Sequence, residues 1–287
     1  MKVDINTKMV TLIGTPLGQS FAARMQNAGY EAAGLNMLYF YTQADSEHLG
    51  EIVAGIRHMN FAGFAVTKPN KVQVLRYLDE LAPLCRKMGA CNTVVKTPEG
   101  RLIGYNTDGV GFYTSLIQEG GVQVDQSVFF CFGGGGAGRA MCSILAYNGA
   151  RKIYITDAFE SCAQSLAEDI NQNFAPIAEF VPYGDFSKLA ACNVVLNASG
   201  VGMGKTIGQT PLPKEFLQPS QFCFDACYNP DKTRFLLDAE EKGCRILNGL
   251  GMSLYQGVAQ VELWSGKKAP VEAMRQELLR ILEEPSE

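Results

Sequence analysis

The sequence predicts an α/β chain of two domains, each a sheet with helices packed against it. Three observations predict it. Over the first hundred or so residues, short apolar runs alternate with helical stretches. Further on, the apolar run Val128 to Phe132 feeds a glycine cluster, Gly133-Gly134-Gly135-Gly136-Ala137-Gly138, which opens a helix. The next apolar run, Lys152 to Thr156, ends on Asp157. Alternation of strand and helix implies a mainly parallel sheet for the first domain. The glycine unit implies a doubly wound, Rossmann-type second domain.

Taken in order, Met9 to Ile13 reads as a strand ended by Gly14-Thr15-Pro16. A helix follows from about Phe21 to Ala33, stopped by Gly34. Met37 to Tyr41 is a strand, Glu47 to His58 a helix and Gly63 to Val66 a strand. Pro69 suits the first turn of a helix through Val72, Leu75, Leu78 and Leu81, whose spacing is helical. Two short strands come next, Val94-Val95 and Arg101 to Tyr105, split by the turn Thr97-Pro98-Glu99-Gly100. Asn106-Thr107-Asp108-Gly109 then opens the helix that leads to the glycine unit.

Gly133, Gly135 and Gly138 satisfy G-x-G-x-x-G between a strand and a helix, the context that gives the pattern meaning. Such glycines allow a tight turn and let backbone N–H groups approach a pyrophosphate at a helix N-terminus. Asp157 lies where a ribose hydroxyl would be bound. Strands near 128–132, 152–156, 178–181, 193–197 and 221–225 are expected to alternate with helices, and Arg245 to Leu247 is a last strand. The helices at about 251–264 and 270–283 have no strand to cover locally, so they are expected to return to the first domain. The domains expected are therefore 1–107, completed by 251–287, and 108–250.

Composition narrows the function. The chain of 287 residues is 47% hydrophobic and 19% charged, ordinary for a globular protein with two cores. A net charge of −4 offers no footprint for nucleic acid or an anionic membrane. No apolar run is long enough to span a bilayer, and the N-terminus is too polar for a secretory signal, which points to the cytoplasm. The 9 cysteines are scattered through expected strands and helices, as suits buried reduced thiols. With only 2 histidines, each read as a surface helix residue, no metal site is expected.

Several constellations carry polar groups that the fold alone does not require. Thr67-Lys68-Pro69-Asn70-Lys71 places two lysines where they oppose a helix macrodipole. That is either a solvated helix end or a pocket for a hydroxylated or anionic ligand. Asp108 is either a helix cap or a partner for Lys71. Asn197-Ala198-Ser199-Gly200-Val201-Gly202 follows a buried strand, where ligands bind at strand carboxyl ends. Gln256 is either a wet-face residue or a ligand contact.

These motifs occur in one order with Gly14-Thr15-Pro16 and Ser20, Gly89-Ala90-Cys91-Asn92-Thr93, Asp225 with Tyr228, and Gly249-Leu250-Gly251-Met252 with Gln256. Over nearly its whole length the chain resembles the shikimate/quinate dehydrogenase family. Pro69-Asn70-Lys71 resembles the quinate/shikimate branch, where the biosynthetic enzymes usually carry Pro-Phe-Lys. The resemblance implies NAD(P)-dependent oxidation of a ring hydroxyl on a cyclic hydroxy acid, with Lys71 and Asp108 as the catalytic pair. It implies substrate contacts from Ser20, Thr67, Asn92, Tyr228 and Gln256. It implies cofactor contacts from Gly133, Gly134, Gly135, Gly136, Ala137, Asp157, Val201, Ala226, Gly249 and Met252. Many NADP-using relatives carry Asn-Arg-Thr after the second strand. Here Asp157-Ala158-Phe159 stands in that place, so NAD is expected in preference to NADP.

Two departures bear on substrate. The family's Ser-x-Ser-Pro is Ser20-Phe21-Ala22-Ala23 here, and Ala65 stands where asparagine is frequent. Three readings stay open: a shikimate or quinate dehydrogenase, a dehydrogenase of the same architecture for another small hydroxy acid, and a nucleotide-binding sensor without catalysis. Monomer and homodimer are both compatible with the sequence.

Overall fold

In the computed structural model, residues 3–17 and 20–284 are described. The chain divides into two compact units, 1–107 with 254–287, and 108–253.

The first unit begins with β1 (Lys8–Gly14), α1 (Ala22–Ala32), β2 (Met37–Gln43), α2 (Leu49–His58) and β3 (Phe61–Val66). It continues through β4 (Glu80–Leu81), α3 (Pro83–Met88), β5 (Thr93–Lys96) and β6 (Leu102–Tyr105). Strand order is β2-β1-β3-β5-β6-β4. β1 runs parallel to β2 and β3, with Val10 opposite Tyr39 and Gly63. The hairpin β5–β6 then adds antiparallel pairs, Phe64 to Val94 and Val94 to Gly104, so the sheet is mixed. One face packs Ile13, Leu49, Val53, Ile56, Phe64 and Val74 into a core.

The expected helix through Val72 and Leu81 is replaced by a turn, a short 3₁₀ segment (Gln73–Tyr77) and β4. Backbone pairing explains the difference. Asp79 N–H donates to Leu102 O, and Ala82 N–H to Gly104 O, each at 2.9 Å, so the chain bonds to β6 instead of to itself. Arg57 fixes the switch by donating to Tyr77 O at 2.8 Å and to the Asp79 carboxylate at 2.7 Å. The leucines keep an apolar spacing because they still face the core.

The second unit starts in α4 (Thr107–Gln118) and carries β7 (Val128–Phe132), α5 (Gly136–Tyr147), β8 (Lys152–Thr156), α6 (Glu160–Asn173) and β9 (Ala178–Phe180). It goes on with β10 (Val194–Asn197), β11 (Phe222–Asp225), α7 (Arg234–Glu241) and β12 (Arg245–Leu247). All its strands are parallel, in the order β12-β11-β10-β7-β8-β9. The order reverses between β7 and β10, the switch point at which doubly wound sheets bind ligands. Phe130, Phe132, Val195, Cys223 and Phe235 fill one face. Between β9, β10 and β11 the expected helices are absent and short 3₁₀ turns stand there instead. Glycines with positive φ at 200, 202, 204 and 208 break any helical run after β10.

The last two helices are α8 (Leu250–Ser265) and α9 (Val271–Glu283). From Leu254 onward they belong to the first unit. Trp264 of α8 donates its indole N–H to Val94 O at 2.9 Å, across the sheet from the core described above. Gly63 is required there: a Cβ would stand 2.1 Å from Val94 O and 2.5 Å from the Trp264 indole nitrogen. Among the described residues no helix is long and apolar enough to cross a membrane.

Candidate active site

In the second unit, β7 delivers the chain into Gly133 at φ +110°, where a Cβ would lie 2.7 Å from the Ala198 backbone. Only glycine fits so close an approach. Gly133 N–H donates to Thr156 O at 2.8 Å, which sets the loop beside the end of β8. Gly135 and Gly136 are exposed, Ala137 is half-buried, and α5 begins with no side-chain cap. The first N–H groups of α5 are thus left for an anion, and a dinucleotide pyrophosphate suits them.

Asp157 closes the loop. Its Oδ2 accepts Gly134 N–H at 2.6 Å and its Oδ1 accepts Phe159 N–H at 2.8 Å. Each oxygen keeps a second lone pair for a ribose hydroxyl. Arg139, the basic side chain in the first turns of α5, pairs with Asp169 on α6.

A buried hub holds the other side of the cradle. Asn197 Nδ2 donates to Asp225 Oδ1 at 3.0 Å and to Val201 O at 2.9 Å. Thr233 donates to Asp225 Oδ2 at 2.5 Å, and Cys227 N–H to Oδ1 at 2.9 Å. Burial pushes the Asp225 carboxyl above its ordinary range against these hydrogen bonds, which pull it down. Ala226 N–H donates to Asn197 O, and Gly249 N–H to Cys227 O, so Val201, Ala226 and Gly249 hang on one frame. Met252 and Tyr228 are half-buried. Burial, and then the Cys227 thiol, push the Tyr228 phenol up to about 12.

In the first unit the loops after β1 and β3 and the segment before β5 converge. Thr67 N–H donates to Ile13 O at 2.9 Å, and Thr15 N–H to Lys68 O at 3.0 Å. Cys91 N–H donates to Lys71 O, and Val66 N–H to Asn92 O, each at 2.9 Å. Backbone bonds alone therefore bring Thr67, Lys71 and Asn92 to one end of the sheet. Asn70 is committed inward, its amide donating to Ala44 O at 3.0 Å and accepting from Ser46 at 2.9 Å. It braces the lysine turn and does not line a pocket.

Asn92 is buried, and its Oδ1 accepts the N–H of Thr107, the first residue of α4, at 2.7 Å. Asp108 follows, half-buried in the first turn. Ser20 stands just before α1, where its Oγ accepts Ala22 N–H at 3.4 Å. Gln256 is half-buried on α8.

Sequence reasoning missed the polar chain behind Asn92. Thr93 bonds the Thr107 hydroxyl at 2.9 Å and accepts from Gln260 at 2.8 Å, and Gln260 accepts from Gln26 at 2.9 Å. Gln260 lies one turn beyond Gln256 on the same helix face, a spacing that marks it as inward-facing. The Tyr41 hydroxyl at the start of α1 was also missed. His58 ends α2 as a surface residue, whereas His48 precedes that helix in an exposed cluster with Asp45 and Glu47.

In sequence and in fold the chain is similar to known proteins. The shikimate dehydrogenase substrate binding domain matches residues 12–94, and the shikimate 5'-dehydrogenase C-terminal domain matches residues 249–279. A shikimate dehydrogenase (NADP(+)) from Desulforamulus reducens is 38% identical over 96% of this chain and 95% of its own. The crystal structure of shikimate 5-dehydrogenase from Listeria monocytogenes, in complex with shikimate and NAD, is 35% identical. It superposes with a TM-score of 0.91 over 96% of this chain and 98% of that one. A 5-ketofructose reductase from Gluconobacter sp. strain CHM43 is 33% identical with a TM-score of 0.89, covering 97% of this chain and 100% of that one.

Proposed function

The chain belongs to the shikimate dehydrogenase family, and on that premise we propose that it interconverts shikimate and 3-dehydroshikimate with NAD as the preferred cofactor. It is an NAD(P)-dependent oxidoreductase of the shikimate dehydrogenase type. The similarity at 38% identity over 96% of the chain, with Lys71 and Asp108 both in place, carries this reading. The comparisons do not single out the quinate branch that Pro69-Asn70-Lys71 suggested.

Lys71 is assigned as the group that takes the hydroxyl proton, and Asp108 as the carboxylate that orients it. Asn92 and Gln256 are assigned to the ring hydroxyls, Thr67 and Ser20 to the carboxylate end, and Tyr228 to a further substrate contact. The glycine loop, Asp157, Val201, Ala226, Gly249 and Met252 hold the nicotinamide dinucleotide, which supplies a hydride acceptor when bound. NAD is favoured over NADP because Asp157 stands at the ribose end, Glu160 follows, and Arg139 is paired with Asp169. A 2′-phosphate there would meet two carboxylates and no free cation from α5. The nine free thiols suit a reducing compartment, and we assign the protein to the cytoplasm.

Steady-state rates with shikimate and quinate, each with NAD and NADP, test the reading. The expected result is fastest turnover of shikimate with NAD. Turnover of quinate alone, or a kcat/KM higher with NADP, would overturn the corresponding half.

A second reading, a same-fold enzyme for a different small hydroxy compound, is favoured by Ala22 together with the likeness to the 5-ketofructose reductase.

A further inference from the structure

Phe159 is 75% exposed, far more than a phenylalanine in a core or at its edge. It is also the second residue after Asp157, and its own N–H is bonded to that carboxylate at 2.8 Å. A second exposed aromatic, Tyr183 at 58%, follows the neighbouring strand. β8 and β9 run parallel with Ile155 opposite Phe180, and Val181 N–H continues the pairing onto Ile155 O at 2.9 Å. Phe159 lies three residues past the end of β8, and Tyr183 three residues past the end of β9. Parallel neighbours are about 5 Å apart, so the two chains leave the sheet side by side at its carboxyl edge. Glu160 ties them there, its Oε1 accepting Tyr183 N–H at 3.0 Å.

We propose that Phe159, flanked by Tyr183, is the platform on which the adenine of the dinucleotide stacks. The inference rests on the nicotinamide-cofactor reading and deepens it. Asp157 fixes where the adenosine ribose sits, and the base attached to that ribose extends past Asp157, away from the glycine loop. The carboxyl edge just beyond Asp157 offers an uncovered aromatic ring and no arginine or lysine in Asp157-Ala158-Phe159-Glu160. An adenine ring covers the phenyl face, and the gain is sequestered apolar area plus ring stacking. Phe159 is thus a positioning residue for the cofactor, remote from the reacting atoms. Its exposure also means that truncation leaves the core intact.

Isothermal titration of wild type, Phe159→Ala, Phe159→Trp and Tyr183→Ala with NAD tests the platform. Nicotinamide mononucleotide at millimolar concentration, which lacks the adenosine half, serves as the control ligand. Phe159→Ala should weaken NAD roughly tenfold, the scale of one lost base–aromatic stack. Tyr183→Ala should weaken it less, and Phe159→Trp should restore wild-type affinity. Nicotinamide mononucleotide binding and the KM for shikimate should stay unchanged in all three. NAD affinity indifferent to Phe159→Ala would overturn the platform alone, as would an equal loss of nicotinamide mononucleotide, which signals a structural defect. A wild-type chain that bound neither nucleotide would overturn the cofactor reading and the platform together.

Discussion

The Tyr41 hydroxyl accepts the Ala23 backbone N–H at 3.0 Å and donates to the Ser20 carbonyl. A β2 side chain thereby caps the first turn of α1, whose preceding residue, Phe21, supplies no side-chain cap. The first turn of a helix leaves N–H groups unpaired, and here a phenol from another element takes one of them. Tyr41→Phe removes both hydrogen bonds and should cost about 1–2 kcal/mol of stability. Chemical denaturation of the two proteins checks it. A change in midpoint too small to measure would mean that water replaces the phenol.

Lys71→Ala should lower kcat by roughly 10²–10⁴-fold and change KM much less, because proton transfer assistance acts in the transition state. Asp108→Asn should be severe in the same direction, since it removes charge while keeping shape. Stopped-flow or steady-state rates on shikimate read both. Near wild-type turnover in both variants would remove the pair from the mechanism.

Much of this was readable in the residues, and what was not has physical causes. The glycine loop and Asp157 were legible because a close backbone approach admits only glycine, and the Gly134–Asp157 bond needs an acceptor at that spacing. α8 and α9 were legible from helical periodicity with no strand left to cover. The segment from Val72 to Leu81 misled because local apolar spacing suits a helix, while from Asp79 onward the chain finds its partners on β6, more than twenty residues away. Gln260, Thr93 and Thr107 were illegible for the same reason: their bonds join residues separated by 14 to 167 positions. The sequence left the segment around Asn70 open between a solvated helix end and a pocket, and only the three-dimensional proximity of Ala44 and Ser46 shows Asn70 to be a brace.

Asp157→Asn should narrow the preference for NAD. The carboxylate offers two charged acceptors to ribose hydroxyls, and a hydrogen bond to a charged group is worth about 1.5–3 kcal/mol. Replacing it with an amide should weaken NAD about tenfold or more and ease the repulsion of a 2′-phosphate. The ratio of kcat/KM for NAD to that for NADP measures the change. A ratio that stayed the same would show that discrimination lies elsewhere.

Asp225→Asn should change how stability depends on pH. Burial raises the Asp225 pKa in the folded protein above its unfolded value. The folded state therefore holds the proton more tightly, and this residue's contribution is full below the unfolded pKa and lost as pH rises through the folded one. An asparagine does not titrate, so the variant should gain stability relative to wild type as pH rises through that acidic window. Its Oδ1 still accepts from Asn197 and Cys227, and its amide can donate to the Thr233 hydroxyl oxygen. Denaturation midpoints across pH 4 to 8 give the difference curve, and a flat or falling curve would contradict the raised pKa.

Ala22→Ser should strengthen shikimate binding. By the resemblance, two serine hydroxyls bind the ring carboxylate, and this chain keeps only the one on Ser20. A charge-assisted hydrogen bond in a partly covered pocket is worth about 1.5–3 kcal/mol, so one missing bond weakens the acid roughly tenfold or more. The loss falls on ground state and transition state alike, because the carboxylate does not react. KM should therefore drop on restoring the serine while kcat stays nearly constant. Ala22 is half-buried in the first turn of α1, whose next N–H is already held by Tyr41, so a hydroxyl there is free to serve the ligand. Kinetics with a ring acid and with a neutral polyol ketone separate the readings. A lower KM for the acid alone supports the carboxylate assignment. An unchanged KM for the acid, or a wild-type enzyme that already prefers the neutral ketone, would move the substrate outside the ring acids.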